Sequence, residues 1–209
     1  MQKADAVLQK KKDDRGINIM NDEIIIEVNE VFKKYDDATV LDNVSLEIEK
    51  GKIYGLVGRN GSGKTVLMKC ICGLIKPTSG EVKVAGKTVG KDVDIPEDIG
   101  VIIETPGFIP NYSGFKNLKL LASVRNKISN EEIRKSMEIV GLDPKSRKHV
   151  GKYSLGMRQK LGIAQAIMEK PKILILDEPM NGLDNESVAV VRKILKEQAE
   201  NGATIILAS

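Results

Sequence analysis

Hydrophobic positions fall along this chain in short runs and in stripes of two periods. Ile24–Val28 is apolar and rich in β-branched residues, and it reads as a strand. Val44, Leu46 and Ile48 alternate with Ser45, Glu47 and Glu49, the period-two pattern of a strand with one buried face. Gly51 turns the chain into Ile53–Val57, a nearly continuous apolar run that suits a central strand buried on both faces. After a glycine-rich loop, Thr65–Leu74 reads as a helix closed by Pro77, Ser79 and Gly80. Glu81–Ala85 and Ile99–Ile103 are predicted strands, and the glycines and prolines of Thr105–Gly114 mark a loop. Phe115–Arg125 reads as an amphipathic helix with Leu118, Leu121 and Val124 on one face. Ser129-Asn130-Glu131-Glu132 opens another helix with acids in its first turn, and its stripe of Ile133, Met137 and Val140 runs up to Gly141. Helices over Ser154–Met168 and Asn185–Ala199 alternate with the apolar strands Lys172–Leu176 and Thr204–Ala208.

Strands separated by helices, with apolar rather than alternating central strands, predict an α/β fold with a mainly parallel sheet covered on both faces. The stretch from about 105 to 162 lacks strands and reads as an inserted helical lobe. Residues 1–22 show no sustained periodicity and carry the charge run Lys10–Arg15, so they read as a flexible lead-in to a domain over 23–209.

Composition narrows the function classes. With 209 residues the chain is sized for one domain, and 41% hydrophobic with 30% charged residues argues against disordered and membrane classes. There is no run of about 18 apolar residues, and the N-terminus is too polar for a signal peptide. These features place the chain in the cytosol unless a partner holds it at a membrane. A net charge of +4 with 3% aromatics and no Trp argues against a nucleic-acid surface built on stacking. Cys70 and Cys72 read as reduced, buried thiols. His149 is the single histidine, so a multi-histidine metal site is excluded, and it reads as a solvated loop residue.

Chemistry enters with Gly58-Arg59-Asn60-Gly61-Ser62-Gly63-Lys64-Thr65, which matches G-x-x-x-x-G-K-[ST] at every fixed position and lies between a strand and a helix. Glycines let the backbone wrap closely, so successive N–H groups point at phosphate oxygens, and the helix N-terminus adds a favourable dipole end. Lys64 is then placed to reach terminal phosphates and the Thr65 hydroxyl to ligate Mg²⁺. The strand ending in Asp177-Glu178 delivers two carboxylates to the same end of a parallel sheet. Asp177 suits Mg²⁺, and Glu178 suits polarising a water for attack on a γ-phosphate.

These pieces together resemble the nucleotide-binding domain of ATP-binding cassette (ABC) transporters over Glu23 to Ser209. Tyr153-Ser154-Leu155-Gly156-Met157 looks like the family's signature motif, and Asn181-Gly182-Leu183-Asp184 like its D-loop. The resemblance implies a P-loop NTPase core with an antiparallel β subdomain and an α-helical signature lobe. It implies ATP and Mg²⁺ as cofactors, with Tyr35 stacking on adenine. Val40, Gly58 to Thr65 and Val66 would complete the nucleotide site. It further implies a head-to-tail pair of cassettes in which Ser154 and the Gly156 N–H of one chain face the γ-phosphate held by Lys64 of the other. A separate transmembrane permease would be the partner, holding this chain at the inner face of the membrane. The loop Thr105–Gly114 would touch that permease. Its Phe108, Ile109 and Tyr112 are open to two readings, a partner surface or burial under the helical lobe.

Departures from the family pattern are informative. Leu155 and Met157 replace the first glycine and the glutamine of the signature, and Glu104 stands where a glutamine usually senses Mg²⁺. An acid at 104 retains an oxygen for the metal but adds negative charge near the phosphates. Ile103-Glu104-Thr105-Pro106-Gly107-Phe108 with Tyr-Ser-Leu-Gly-Met-Arg-Gln resembles the bacterial subgroup that exports, or protects against, bacitracin- or lantibiotic-type peptide antibiotics. The family's switch histidine would follow directly after Thr204–Ala208, where the sequence stops at Ser209. The chain therefore reads as truncated and is expected to bind Mg·ATP but turn it over poorly. The alternative function is a non-transport ABC ATPase acting as an ATP-gated clamp. A small-molecule P-loop kinase would leave the signature and D-loop unexplained.

Overall fold

The structure is a computed structural model and describes residues 7–9 and 23–209. A short strand β1 (Val7–Gln9) is followed by the long strands β2 (Ile24–Tyr35) and β3 (Ala38–Glu49). Next, β4 (Ile53–Val57) leads through the glycine-rich loop into α1 (Lys64–Ile71). Strands β5 (Ser79–Val84), β6 (Lys87–Thr88) and β7 (Ile99–Ile102) precede helices α2 (Gly114–Arg125), α3 (Asn130–Ile139) and α4 (Leu155–Ile167). The chain then alternates β8 (Ile173–Asp177), α5 (Asn185–Glu200) and β9 (Thr204–Ala208).

Two sheets result. One has the order β1-β4-β9-β8-β7, parallel from β4 to β7 with β1 antiparallel at its edge. The other, β3-β2-β5-β6, is antiparallel throughout. This is the α/β architecture expected, with a separate antiparallel subdomain and a helical lobe. The expected lead-in over 1–22 lies outside the described residues except for Val7–Gln9, whose backbone pairs with β4 from Val7↔Val57 to Gln9↔Gly55.

Strand β8 shows why an unbroken apolar run belongs in the middle of a sheet. Leu174 and Leu176 point into the core shared with the helical lobe, whereas Ile173 and Ile175 point into the core shared with α1 and the antiparallel subdomain. All four are buried, so each contributes about 1.5–3 kcal/mol relative to exposure. The prediction for β4 needs correction. Tyr54 and Leu56 are buried, but Ile53 and Val57 remain 43% and 49% exposed. Among the described residues only the three-residue β1 lies beyond β4 in its sheet, so β4 occupies a marginal rather than a central position.

Helix α2 also differs from its predicted face. Leu118 and Ala122 are buried, but Leu121 and Val124 are exposed. Gly114 fixes the rotation: a Cβ there would meet the Tyr153 hydroxyl at 2.8 Å and Met137 Cε at 3.1 Å, so the helix turns the Gly114, Leu118 and Ala122 face inward. Asn117, also buried on that face, accepts from the Ile109 N–H at 2.8 Å and donates to the Ile109 carbonyl at 3.1 Å. That pair pins the loop before α2. Within the loop, Phe108 packs on the lobe core, Tyr112 lies under the Lys116 ammonium, and Ile109 faces outward. Helix α3 starts as predicted, with a reciprocal capping box between Ser129 and Glu132. Cys70 and Cys72 are free and buried, and burial pushes the Cys72 thiol up to about 12. His149 is exposed.

Gly100 lets α4 approach the sheet closely. A Cβ there would lie 2.1 Å from the Ala166 carbonyl and 2.8 Å from Leu174 Cδ2. Gly100→Ala is therefore expected to lower stability by about 1–3 kcal/mol, since a rigid backbone has to move. Urea denaturation checks this, and an unchanged midpoint would remove the close-packing argument.

Candidate functional site

The glycine-rich loop between β4 and α1 is shaped by positive backbone angles that only glycine adopts freely. Gly61 and Gly63 have φ of +80° and +88°. A Cβ on Gly63 would meet the Val40 carbonyl at 2.8 Å, so the loop lies directly against β3. Gly63 caps α1 without any side-chain hydrogen bond, and the first helical bond runs from the Leu67 N–H to its carbonyl. The amides of the first turn are thereby left for an external acceptor. Lys64 is 92% buried at 8% exposure, and its ammonium donates to the Gly58 carbonyl at 2.5 Å and the Arg59 carbonyl at 3.3 Å. The Ser62 hydroxyl is buried with no hydrogen-bond partner among the described residues. Leaving such a group unsatisfied costs about 1–3 kcal/mol, which a ligand in the loop recovers.

Across the loop stands the end of β8. The Thr65 hydroxyl donates to Asp177 Oδ2 at 2.6 Å, joining positions 112 residues apart. Glu178 follows with φ of +44°, a left-handed conformation outside glycine's usual territory. Its backbone is held on both sides. The N–H donates to the Ala208 carbonyl at 3.0 Å, and its own carbonyl accepts from Gln159 Nε2 at 3.2 Å. Asn181 Nδ2 donates to its carboxylate at 3.4 Å.

A cavity of about 450 Å³ opens between these groups, bordered by the loop from Asn60 to Val66 together with Val40, Glu104, Asp177 and Glu178. Glu104 adopts φ of +59°, and its carboxylate pairs with the Lys69 ammonium at 2.5 Å. Tyr35 is not part of the wall. It is 44% exposed at the end of β2, with the Lys33 ammonium 4.9 Å from its ring centre. Gly58 and Arg59 lie behind the loop, their carbonyls turned to Lys64. Ser154 and Gly156 border a second cavity of about 640 Å³, which Gly182 and Asp184 also line. Ser154 caps α4 by accepting from the Met157 N–H at 3.2 Å. Leu155 borders both cavities and is wedged onto Gly182, where a Cβ would lie 2.5 Å from Leu155 Cδ2. Asp184 caps α5 through the Ser187 N–H, and these hydrogen bonds to Ser187 hold its carboxyl below the usual range.

A family model described as ABC transporter matches residues 41–181, a span containing the cradle, the signature segment and Asp177-Glu178. The chain belongs to the ABC transporter family. Among curated relatives it is 48% identical over 185 residues to the uncharacterized ABC transporter ATP-binding protein YybJ of Bacillus subtilis, covering 88% of this chain and 85% of that one. It is 45% identical over 189 residues to the bacitracin transport ATP-binding protein BcrA of Enterococcus faecalis, covering 90% of this chain but 61% of BcrA. A solved structure of an ATP-binding subunit of an ABC transporter superposes with a TM-score of 0.79 at 27% identity, over 88% of this chain and 79% of that one.

Family membership makes this an α/β P-loop ATPase of a nucleotide-binding family, with the cradle as the candidate site. The residues fit that role. An unpartnered buried hydroxyl, an uncapped helix start and a buried lysine converge where a phosphate tail belongs. Oxygen donors from Thr65, Asp177 and Glu104 border the same cavity, a hard donor set suited to Mg²⁺.

Two residues escape sequence reasoning. Gln159 ends the Met-Arg-Gln run of the signature segment, but its burial on α4 against the Glu178 carbonyl depends on the fold. Asn181 reads as part of the D-loop, but its hydrogen bond to Glu178 depends on the fold. Gln159→Met preserves side-chain length while removing the donor to the Glu178 carbonyl. It is expected to slow ATP turnover on the order of tenfold through misplacement of Glu178, with Mg·ATP affinity unchanged. Steady-state kinetics beside calorimetry checks this, and unchanged turnover would rule out the positioning role.

Proposed function

We propose that this chain is the ATP-binding and hydrolysing subunit of a transporter that drives a separate membrane permease, in export of or resistance to a peptide antibiotic of the bacitracin or lantibiotic kind. The observation that carries the ATPase part is the 2.6 Å contact between Thr65 and Asp177, which closes the phosphate cradle onto the strand bearing Glu178. The transport part rests on the likeness to BcrA. No helix among the described residues is long and apolar enough to cross a membrane. The chain then works at the inner membrane face through its permease, with the outward-facing Ile109 offering one contact.

In this reading the loop amides, the Ser62 hydroxyl and Lys64 hold the β- and γ-phosphates, and Tyr35 stacks on the adenine ring. Val40 and Val66 line the approach. Mg²⁺, when bound, neutralises part of the triphosphate charge, with Thr65, Asp177 and Glu104 as the residues that hold it. Glu178, aimed by Asn181 and anchored by its backbone bonds, takes a proton from the attacking water, an effect worth roughly 10²–10⁴-fold. Ser154 and Gly156 face a cavity different from the one that holds Lys64. A head-to-tail second cassette supplies them to the γ-phosphate, so ATP glues the pair and hydrolysis releases it.

Lys64→Ala is expected to weaken Mg·ATP binding more than tenfold by calorimetry, because it removes a charge-assisted phosphate contact. Glu178→Gln should keep that binding while losing turnover by roughly 10²-fold or more. Undiminished binding in the first, or turnover in the second, would reject these roles.

A further inference from the structure

Glu104 introduces an acid beside two others, Asp177 and Glu178, at a cavity read here as taking a polyanion. Lys69 answers that charge from a fixed position. It lies four residues after Thr65 on α1, so the helical face that presents the Thr65 hydroxyl to Asp177 presents the Lys69 ammonium to Glu104 one turn later. The lysine side chain is only 22% exposed, whereas Glu104 is 63% exposed and sits on a backbone at φ of +59°. One short helix therefore holds Lys64, the Thr65 hydroxyl and this second cation in constant register.

We propose that Lys69 is a positioning residue for nucleotide binding: it neutralises Glu104 and holds its carboxylate at the cavity wall, which allows an acid at a position where the family usually carries a neutral glutamine. The proposal rests on the nucleotide reading above. A purely structural role predicts a different pattern. Lysine in the last turn of α1 also complements the helix dipole, and that contribution is independent of residue 104. With Glu104 open to solvent the pair contributes little to folding stability, so its effect is sought in ligand binding.

The experiment is a double-mutant cycle read by calorimetric affinity for Mg·ATP, with the melting temperature of the nucleotide-free chain followed in parallel. Lys69→Met should weaken binding about five- to tenfold when Glu104 is present and less than about twofold in a Glu104→Gln background. Lys69→Arg should retain most of the affinity. If Lys69→Met does not fold, Lys69→Gln completes the same cycle. An equal loss in both backgrounds, or no loss in either, would overturn the pairing while leaving the nucleotide site intact. Absence of Mg·ATP binding by the unaltered chain would instead remove the nucleotide reading and this proposal with it.

Discussion

The hydrogen bond from Thr65 to Asp177 is the constraint on which the site depends. Its donor begins a helix and its acceptor ends a strand, and neither element is long. Their alignment follows from packing: the residues of β8 bury alternately into two separate cores, and α1 contributes Leu67, Met68 and Ile71 to one of them. A shift of either element would separate cradle from carboxylate. The two hydrophobic cores therefore define the geometry of a polar site that neither contains.

Glu178 illustrates how that geometry is carried one residue further. A left-handed backbone at a non-glycine residue is costly, on the order of 1 kcal/mol, and persists only when its surroundings over-determine it. Here the neighbouring strand holds the N–H and helix α4 holds the carbonyl. Because α4 begins at Ser154, the helix that opens with the signature segment also touches the backbone of the proposed base. The signature cavity and the cradle are distinct spaces that share Leu155 in their walls.

Much of this was legible in the sequence because local spacing encodes it. The cradle declares itself through glycines at fixed offsets, and β8 through an apolar run ending in two acids. Capping at Ser129, Ser154 and Asp184 follows the same logic, since a small polar side chain before a helix meets its first amides. What failed was orientation. Periodicity showed α2 to be amphipathic, but contact at Gly114 turned the helix until Leu121 and Val124 faced outward. Strand β4 read as central from its composition, whereas its place in the sheet depends on which strands pair beside it. The contact of Gln159 with Glu178 and the Lys69–Glu104 pair join residues far apart in sequence, which local spacing does not encode.

Leu155 rests in the space left by the missing side chain of Gly182, and Gly182 itself needs a φ of +71°. Knob and socket are thus coupled across two motifs: bulk at 155 is accommodated only opposite a bare turn, and a side chain at 182 would meet both the Leu155 branch and a left-handed backbone.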